Sequence, residues 1–216
     1  MRILSFIGIT TALYVGSFVV LTRCTSKKGV LIYQTADYYV RRGRSSWTRY
    51  REFDASSKWD VLILGSSHAM RGYDPAVFAA HGFRAYNLGS VSQTPLNSYE
   101  IIKYLVDSSN TSLLILDVFD KTFANTGLES SADLIQNLPS NEAVLGMACD
   151  LRDLRALNLL MLRYTEPREI SVPKDPFYVG LGFGARTDSV KVPLDTRKDQ
   201  KYALDRQQRH FFHAIV

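Results

Sequence analysis

The residues best suited to chemistry stand in the run Gly65-Ser66-Ser67-His68, directly after an apolar segment. A glycine after a buried strand permits a sharp turn, so the hydroxyl of a following serine can stand exposed near a helix N-terminus. The backbone N–H groups at such a position favour anionic intermediates like those of acyl transfer. The pattern therefore predicts that an acyl-transfer nucleophile would be placed in this turn.

Two further loops should meet this turn, because apolar strands and amphipathic helices alternate after Lys58 as in a parallel α/β sheet. The order predicted for the first three strands is 2-1-3, with the switch point beside the first strand. Functional groups collect outside the carboxyl ends of such strands. We therefore expect Gly65 to Ser67, Asn87 to Gly89 and Asp117 to Asp120 to share one edge.

The signals for the individual elements are local. Asp74-Pro75 and Thr94-Pro95 each pair a good N-cap with a proline suited to the first helical position. Residues 141 to 163 carry apolar side chains at helical spacing and predict one further helix. Lys174 to Ala185 is interpreted as a lid or as an ordinary surface loop. The predicted strands are Trp59 to Leu64, Phe83 to Leu88 and Ser112 to Phe119.

Three stretches resemble the first three blocks of the SGNH (GDSL-like) hydrolase family: VLILGSSHAMRGYDP, AYNLGSVSQTPLNSYEIIKYL and LLILDVFD. They are most similar to its membrane-anchored, DltD-like and alginate-acetylation-like branch, where GSS replaces GDS. The resemblance implies a three-layer, flavodoxin-like fold of SGNH type. It implies that Ser67 attacks the substrate and that its own N–H and the N–H of Gly89 bind the oxyanion. The candidate substrate-binding residues are Ser66, His68, Asn87, Ser92 and Gln93.

The third block departs from the family pattern, which brings an Asn to the oxyanion hole within a GxND sequence. The corresponding residues here are Asp117-Val118-Phe119-Asp120, and Gln93 or Asn125 are the alternatives for that role. The resemblance covers residues 59 to 123. It implies either a truncated version of a longer protein or a member that has lost its general base.

The general base is the second departure, because none of the four histidines stands in the DxxH pattern of the family. His68 adjoins Ser67 in sequence, and adjacent side chains diverge, so it is a candidate for substrate contact. His81 closes a predicted helix and is interpreted as structural. The remaining candidates lie in the tail, for which an amphipathic terminal helix is the alternative interpretation. A triad there would combine His210 or His213 with Asp195 or Asp205.

An uncharged run of 19 residues extends from Ile3 to Leu21, long enough as a helix to cross a bilayer core of about 30 Å. We interpret residues 1 to 22 as a transmembrane anchor. A cleaved signal peptide is the alternative, although its apolar region is usually only about 7–15 residues long. Flanking charges favour a cytoplasmic carboxyl side. The resemblance implies a domain outside the cytoplasmic membrane, which is the placement that we predict.

Basic and aromatic residues follow this anchor in residues 23 to 58. Residues 1 to 58 hold ten Lys or Arg against three Asp or Glu, whereas the remainder holds 16 against 18. In YYVRRGRSSWTRYREF, arginines alternate with Tyr and Trp, which suits anionic lipid headgroups. A solvated, partly helical linker packed by its aromatics fits equally well. The acidic remainder, which we assign to an α/β domain of residues 59 to 216, offers no extended basic face for nucleic acid.

Three functions fit these patterns. The first is a membrane-anchored serine esterase or acyltransferase acting on acyl esters of envelope carbohydrate. The second is a catalytically inactive SGNH-like domain that binds an envelope polysaccharide or a partner protein. The third is an anion-binding loop for phosphate-bearing ligands. We expect no cofactor, and two cysteines and four histidines without ligand spacing predict no metal site.

Overall fold

The computed structural model describes residues 2–166 and 175–185 and has a parallel three-stranded sheet at its centre. The strands are β1 (Trp59–Leu64), β2 (Ala85–Asn87) and β3 (Thr111–Leu116), in the order β2-β1-β3. Leu62 of β1 pairs with Tyr86 on one side and with Leu114 on the other. The predicted mixed α/β class, the parallel sheet and its 2-1-3 order are confirmed.

Nine α-helices occur in the described residues, with a short 3-10 helix at Leu31–Gln34 and a two-residue hairpin of Thr25–Ser26 with Gly29–Val30. The α-helices are α1 (Arg2–Arg23), α2 (Arg44–Glu52), α3 (Ser67–Gly72), α4 (Pro75–Ala80), α5 (Pro95–Leu105), α6 (Asp120–Phe123), α7 (Leu128–Asn137), α8 (Asn141–Asp150) and α9 (Arg155–Thr165).

Helices cover both faces of the sheet because successive side chains of a strand point to opposite sides. Leu62 and Leu64 belong to the larger core, together with residues of α5, α7, α8 and α9. Val61 and Ile63 belong to a smaller core that includes Ala69 of α3 and packs against Phe78 of α4. The domain therefore has three layers, with the central strand buried on both sides.

Local signals located the helix starts well and the helix ends less well. Asp74 accepts a hydrogen bond from the N–H of Ala76, and Thr94 forms a capping box with Asn97, as the two Pro-containing sequences predict. The single helix predicted over residues 141 to 163 is wrong. It is broken into α8 and α9 at a turn where Arg152 has a positive φ of 52°.

The N-terminal helix α1 is long and apolar enough to cross a membrane. Its C-terminal half also contacts the domain: Phe18 is buried with Leu162 of α9, and the Tyr14 hydroxyl donates a hydrogen bond to Asn158 Oδ1. Thr22, one turn after Phe18, is buried as well. The helix is thus joined to the domain by side-chain contacts over its last turns.

The basic and aromatic segment before β1 is largely packed into the domain. Tyr50 and Phe53 share the larger core with Trp59 and Tyr86. Arg49 is only 1% exposed, so its guanidinium is not accessible to lipid headgroups. The segment is helical over α2. Its aromatic side chains Tyr50 and Phe53 pack into the larger core, together with residues of the sheet.

The two edges of the sheet differ. Residues 175–185 form a hairpin of β4 (Tyr178–Gly180) and β5 (Phe183–Gly184) beside β2, where the Asn87 N–H donates to the carbonyl of Leu181 at 2.9 Å. At the other edge, no described strand pairs with the outer side of β3. Leu113 and Leu116 of β3 are 53% and 45% exposed there.

Candidate active site

The first turn begins at Gly65, at the carboxyl end of the central strand. Its φ of 145° lies in a region that residues with a side chain rarely adopt. A Cβ at this position would lie 2.7 Å from the carbonyl oxygen of Asp117 and 2.8 Å from the Asp117 Cβ. Only glycine therefore lets the turn pass this close to the end of β3.

The two serines of the turn have different surroundings. Ser66 is the N-cap of α3, and its buried hydroxyl accepts a hydrogen bond from the N–H of His68 at 3.3 Å. Ser67 is the first residue of α3 and is half-buried. No described residue forms a hydrogen bond with its hydroxyl, which is free for a reaction partner.

The second turn, Asn87 to Ser90, lies directly against the first. The Ser90 N–H donates to the carbonyl of Gly65 at 3.1 Å. A Cβ on Gly89 would lie 2.9 Å from the backbone N of Met70 and 3.1 Å from the Ala69 Cβ. Residue 89 is therefore in contact with the first turns of α3, as the predicted oxyanion pair requires.

The N–H of Gly89 already has an acceptor, because it donates to Asn87 Oδ1 at 2.9 Å. The Asn87 amide nitrogen in turn donates to the carbonyls of Ala69 and Tyr73, at 2.8 and 2.9 Å. Asn87 is fully buried, and both ends of its side chain bind the fold. Its side chain therefore links the second turn to α3 and the residue that follows it.

The other predicted substrate-binding residues divide into buried and accessible ones. Gln93 is buried, with hydrogen bonds of 2.9 Å from the Ser90 hydroxyl and to the Ser98 hydroxyl. Ser92 is half-buried in a left-handed conformation with φ 53°, and His68 is exposed. Of this set, only the last two have side chains within reach of a ligand from solvent.

The third turn follows β3 and brings a carboxylate to the edge. The Asp117 N–H donates to the carbonyl of Leu64 at 2.8 Å. The Tyr73 hydroxyl approaches Asp117 Oδ2 at 3.5 Å, and Oδ1 is buried with no hydrogen-bond partner among the described residues. Asn125, the alternative oxyanion donor, accepts the Gly127 N–H through its Oδ1.

No described imidazole reaches Ser67. The His68 ring lies against the Phe119 ring, with 4.1 Å between centroids, and His81 Nδ1 is 2.9 Å from the carbonyl of Val77 in α4. His210 and His213 lie outside the described residues. The described part of the chain also holds no group of three or more His, Cys, Asp or Glu that could bind a metal ion.

A cavity of about 250 Å³ opens between the start of α5 and the loop after β3, a site that the sequence did not predict. Two of its walls follow β2 and β3 along the chain, and a third is the end of α8 at Asp150 and Leu151. Hydroxyl, amide and carboxylate groups alternate with apolar side chains around it. Its lining residues are Thr94, Pro95, Leu96, Thr122, Phe123, Asn125, Thr126, Asp150 and Leu151.

Comparison of this chain with protein-family models, curated proteins and solved structures finds no match. The resemblance to SGNH hydrolases accordingly rests on the three sequence blocks alone.

Proposed function

We propose that this chain is a membrane-anchored SGNH-like serine esterase or acyltransferase that acts on acyl esters of envelope carbohydrate. The observation that supports the proposal most is the free, half-buried hydroxyl of Ser67 at the end of the central strand. The second turn is hydrogen-bonded to the same strand end through Ser90 and Gly65. An acyl-transfer site needs this juxtaposition of a serine and a neighbouring backbone loop.

In the proposed reaction, Ser67 Oγ attacks the ester carbonyl carbon and its proton passes to a general base. The tetrahedral intermediate collapses to an acyl-serine as the alcohol leaves with a proton, and water or a carbohydrate hydroxyl then takes the acyl group. The N–H of Ser67 and the N–H of Gly89 bind the developing oxyanion. The Gly89 N–H is shared between the oxyanion and Asn87 Oδ1. His210 is the proposed base.

The cavity beside α5 supports a carbohydrate as the alcohol part of the substrate. Thr122, Asn125 and Asp150 offer donors and acceptors for sugar hydroxyls, while Phe123 and Leu96 offer apolar surface for a ring face. The accessible residues Ser92 and His68 would contact the acyl part nearer Ser67.

The membrane helix fits an enzyme that works at the cell envelope. We propose that α1 is a single transmembrane anchor and that the domain lies outside the cytoplasmic membrane.

A second candidate is a catalytically inactive SGNH-like domain that binds an envelope polysaccharide or a partner protein. Two observations favour it: no described histidine contacts Ser67, and the Gly89 N–H is engaged by Asn87. Such a protein would keep the sugar cavity and would have no use for the Ser67 hydroxyl.

Turnover of an acetylated sugar ester by the full chain in detergent separates the two candidates. The esterase proposal predicts release of acetate that is lost in Ser67→Ala and kept in the control Ser108→Ala, whose exposed side chain lies in the loop before β3, at the opposite edge of the sheet. Binding of the sugar without acetate release, equal in all three proteins, would favour the inactive domain.

A further inference from the structure

Two neighbouring residues of α2 hold the backbone on both sides of Gly89. The Tyr50 hydroxyl donates to the carbonyl of Leu88 at 2.9 Å, and Arg49 Nη1 donates to the carbonyl of Gly89 at 2.8 Å. Both side chains are 1% exposed. Each of the two peptide groups flanking Gly89 is thereby bound at its oxygen by a side chain of α2.

The same two peptide groups are also bound at their N–H ends. The peptide after Leu88 donates through the Gly89 N–H to Asn87, and the peptide after Gly89 donates through the Ser90 N–H to Gly65. A hydrogen bond accepted by a peptide carbonyl polarises the group and strengthens its N–H as a donor. The Tyr50 hydroxyl therefore acts on the N–H that is expected to bind the oxyanion.

We propose that Tyr50 and Arg49 are positioning residues for the Gly89 oxyanion donor, an inference that rests on the proposed function. Neither residue touches substrate. Burial raises the pKa of Tyr50, so its hydroxyl keeps its proton and remains a donor at neutral pH. Arg49 brings a permanent charge to the carbonyl of Gly89, and charge-assisted hydrogen bonds are stronger than neutral ones.

Arg49 also connects the second turn to the hairpin beside β2. Its Nε donates to the carbonyl of Gly182 at 2.8 Å, and its Nη2 has no hydrogen-bond partner among the described residues. The guanidinium thus joins α2, the second turn and the loop between β4 and β5. The basic and aromatic segment of residues 23 to 58, whose composition suits lipid headgroups, thus holds the backbone of the site in place through Arg49.

The test is the rate at which a fluorophosphonate probe labels Ser67 in the full chain, alongside kcat and KM for an acetyl ester. Tyr50→Phe removes one hydroxyl and keeps the ring. We expect labelling and kcat to fall about tenfold, less than the 10²-fold or more for loss of a donor, with KM changed less than about twofold. The control is Tyr86→Phe, whose buried hydroxyl donates to the backbone carbonyl of Arg49 instead.

Equal losses in Tyr50→Phe and Tyr86→Phe, or no loss in either, would overturn the positioning role while the esterase stands. A wild-type chain that neither labels nor turns over ester would overturn the proposed function, and the inference with it. A measurement without catalysis supports the distinction: the NMR amide proton of Gly89 in Ser67→Ala should shift upfield when Tyr50→Phe is added. An unchanged shift would contradict the inference.

Discussion

The two sides of the Ser67 turn differ in how firmly they are held. On the β2 side, the second turn is bonded to the first turn, to α3 and to α2 through Ser90, Asn87, Tyr50 and Arg49. On the β3 side, a buried carboxylate oxygen of Asp117 has no hydrogen-bond partner among the described residues.

Apolar side chains are exposed on the β3 side. Val118, after the end of β3, is 60% exposed, and Leu113 and Leu116 of that strand are half exposed. Parallel strands are usually covered on both faces, and exposed apolar edges tend to pair with another chain. The β2 half of the proposed site is therefore preorganised, whereas the β3 half, where the resemblance implies an oxyanion-binding Asn, is open.

Among substitutions in the turns, the one at Gly65, where the two sides meet, should lower the free energy of unfolding most. Gly65→Ala forces a Cβ against the backbone of Asp117 in a left-handed conformation, and we expect a loss of about 3 kcal/mol in unfolding free energy. Urea unfolding measures it. Gly72→Ala is the control, because its added Cβ meets no atom within 4 Å. Equal stability of the two variants would show that the close approach of the turns is wrong.

Asn87 and Asp117 compare the sides directly. Asn87→Ala leaves the carbonyls of Ala69 and Tyr73 and the N–H of Gly89 without their partner, and we expect a loss of about 2 kcal/mol. Asp117→Asn changes a side chain with one long contact, and we expect less than about 1 kcal/mol. Unfolding curves of both variants give the comparison, and a larger loss at Asp117 would reverse the assignment of the fixed side.

The strand and the helix starts around the site could be predicted from the sequence because the signals for them are local. A nearly unbroken apolar run predicted β1, and N-cap and proline pairs predicted the starts of α4 and α5. The burial of Arg49 had no such signal, since the carbonyls that it binds, at Gly89 and Gly182, are far away in sequence. An arginine among tyrosines near an apolar helix suggests a membrane surface until those carbonyls are known.

The same reasoning explains the site residues. Asn87 is the last residue of β2 and Gln93 follows in the loop, where exposed polar groups are expected, yet both bind the fold. Their partners, in α3 and α5, become visible only once the helices are packed. The cavity beside α5 also depends on packing, because it is formed by segments as distant as Thr94 and Asp150.

The buried carboxyl of Glu100 should have a smaller effect on the free energy of unfolding, and one that depends on pH. Burial raises the pKa of Glu100 in α5; Lys103 opposes this from 3.8 Å, and the carboxyl of Asp150 adds to it. Because the pKa of Glu100 is higher in the folded state, stability is lost as the pH rises from the unfolded-state pKa of about 4.3 to the folded-state pKa. Glu100→Gln should therefore be more stable than wild type by about 1 kcal/mol at pH 7. Thermal melts should show the gain vanishing near pH 4, and a gain independent of pH would contradict this.

Leu116 on the open edge should give the smallest effect. It is the register partner of Leu64, which is fully buried. We expect Leu116→Ala to lower the unfolding free energy by about 0.5 kcal/mol, and Leu64→Ala by about 3 kcal/mol because it leaves a cavity. Denaturant unfolding of this matched pair measures the difference. A large loss at Leu116 would mean that the edge of β3 is covered in solution.

The central claim is that the hydroxyl of Ser67 is a nucleophile, and covalent labelling tests it most directly. The full chain in detergent is treated with a fluorophosphonate, and the modified peptide is identified by mass spectrometry. The account predicts one adduct, on Ser67, that disappears in Ser67→Ala and persists in Ser108→Ala, whose exposed side chain lies at the opposite edge of the sheet. A folded chain that takes no adduct, or takes it at another serine, would contradict it.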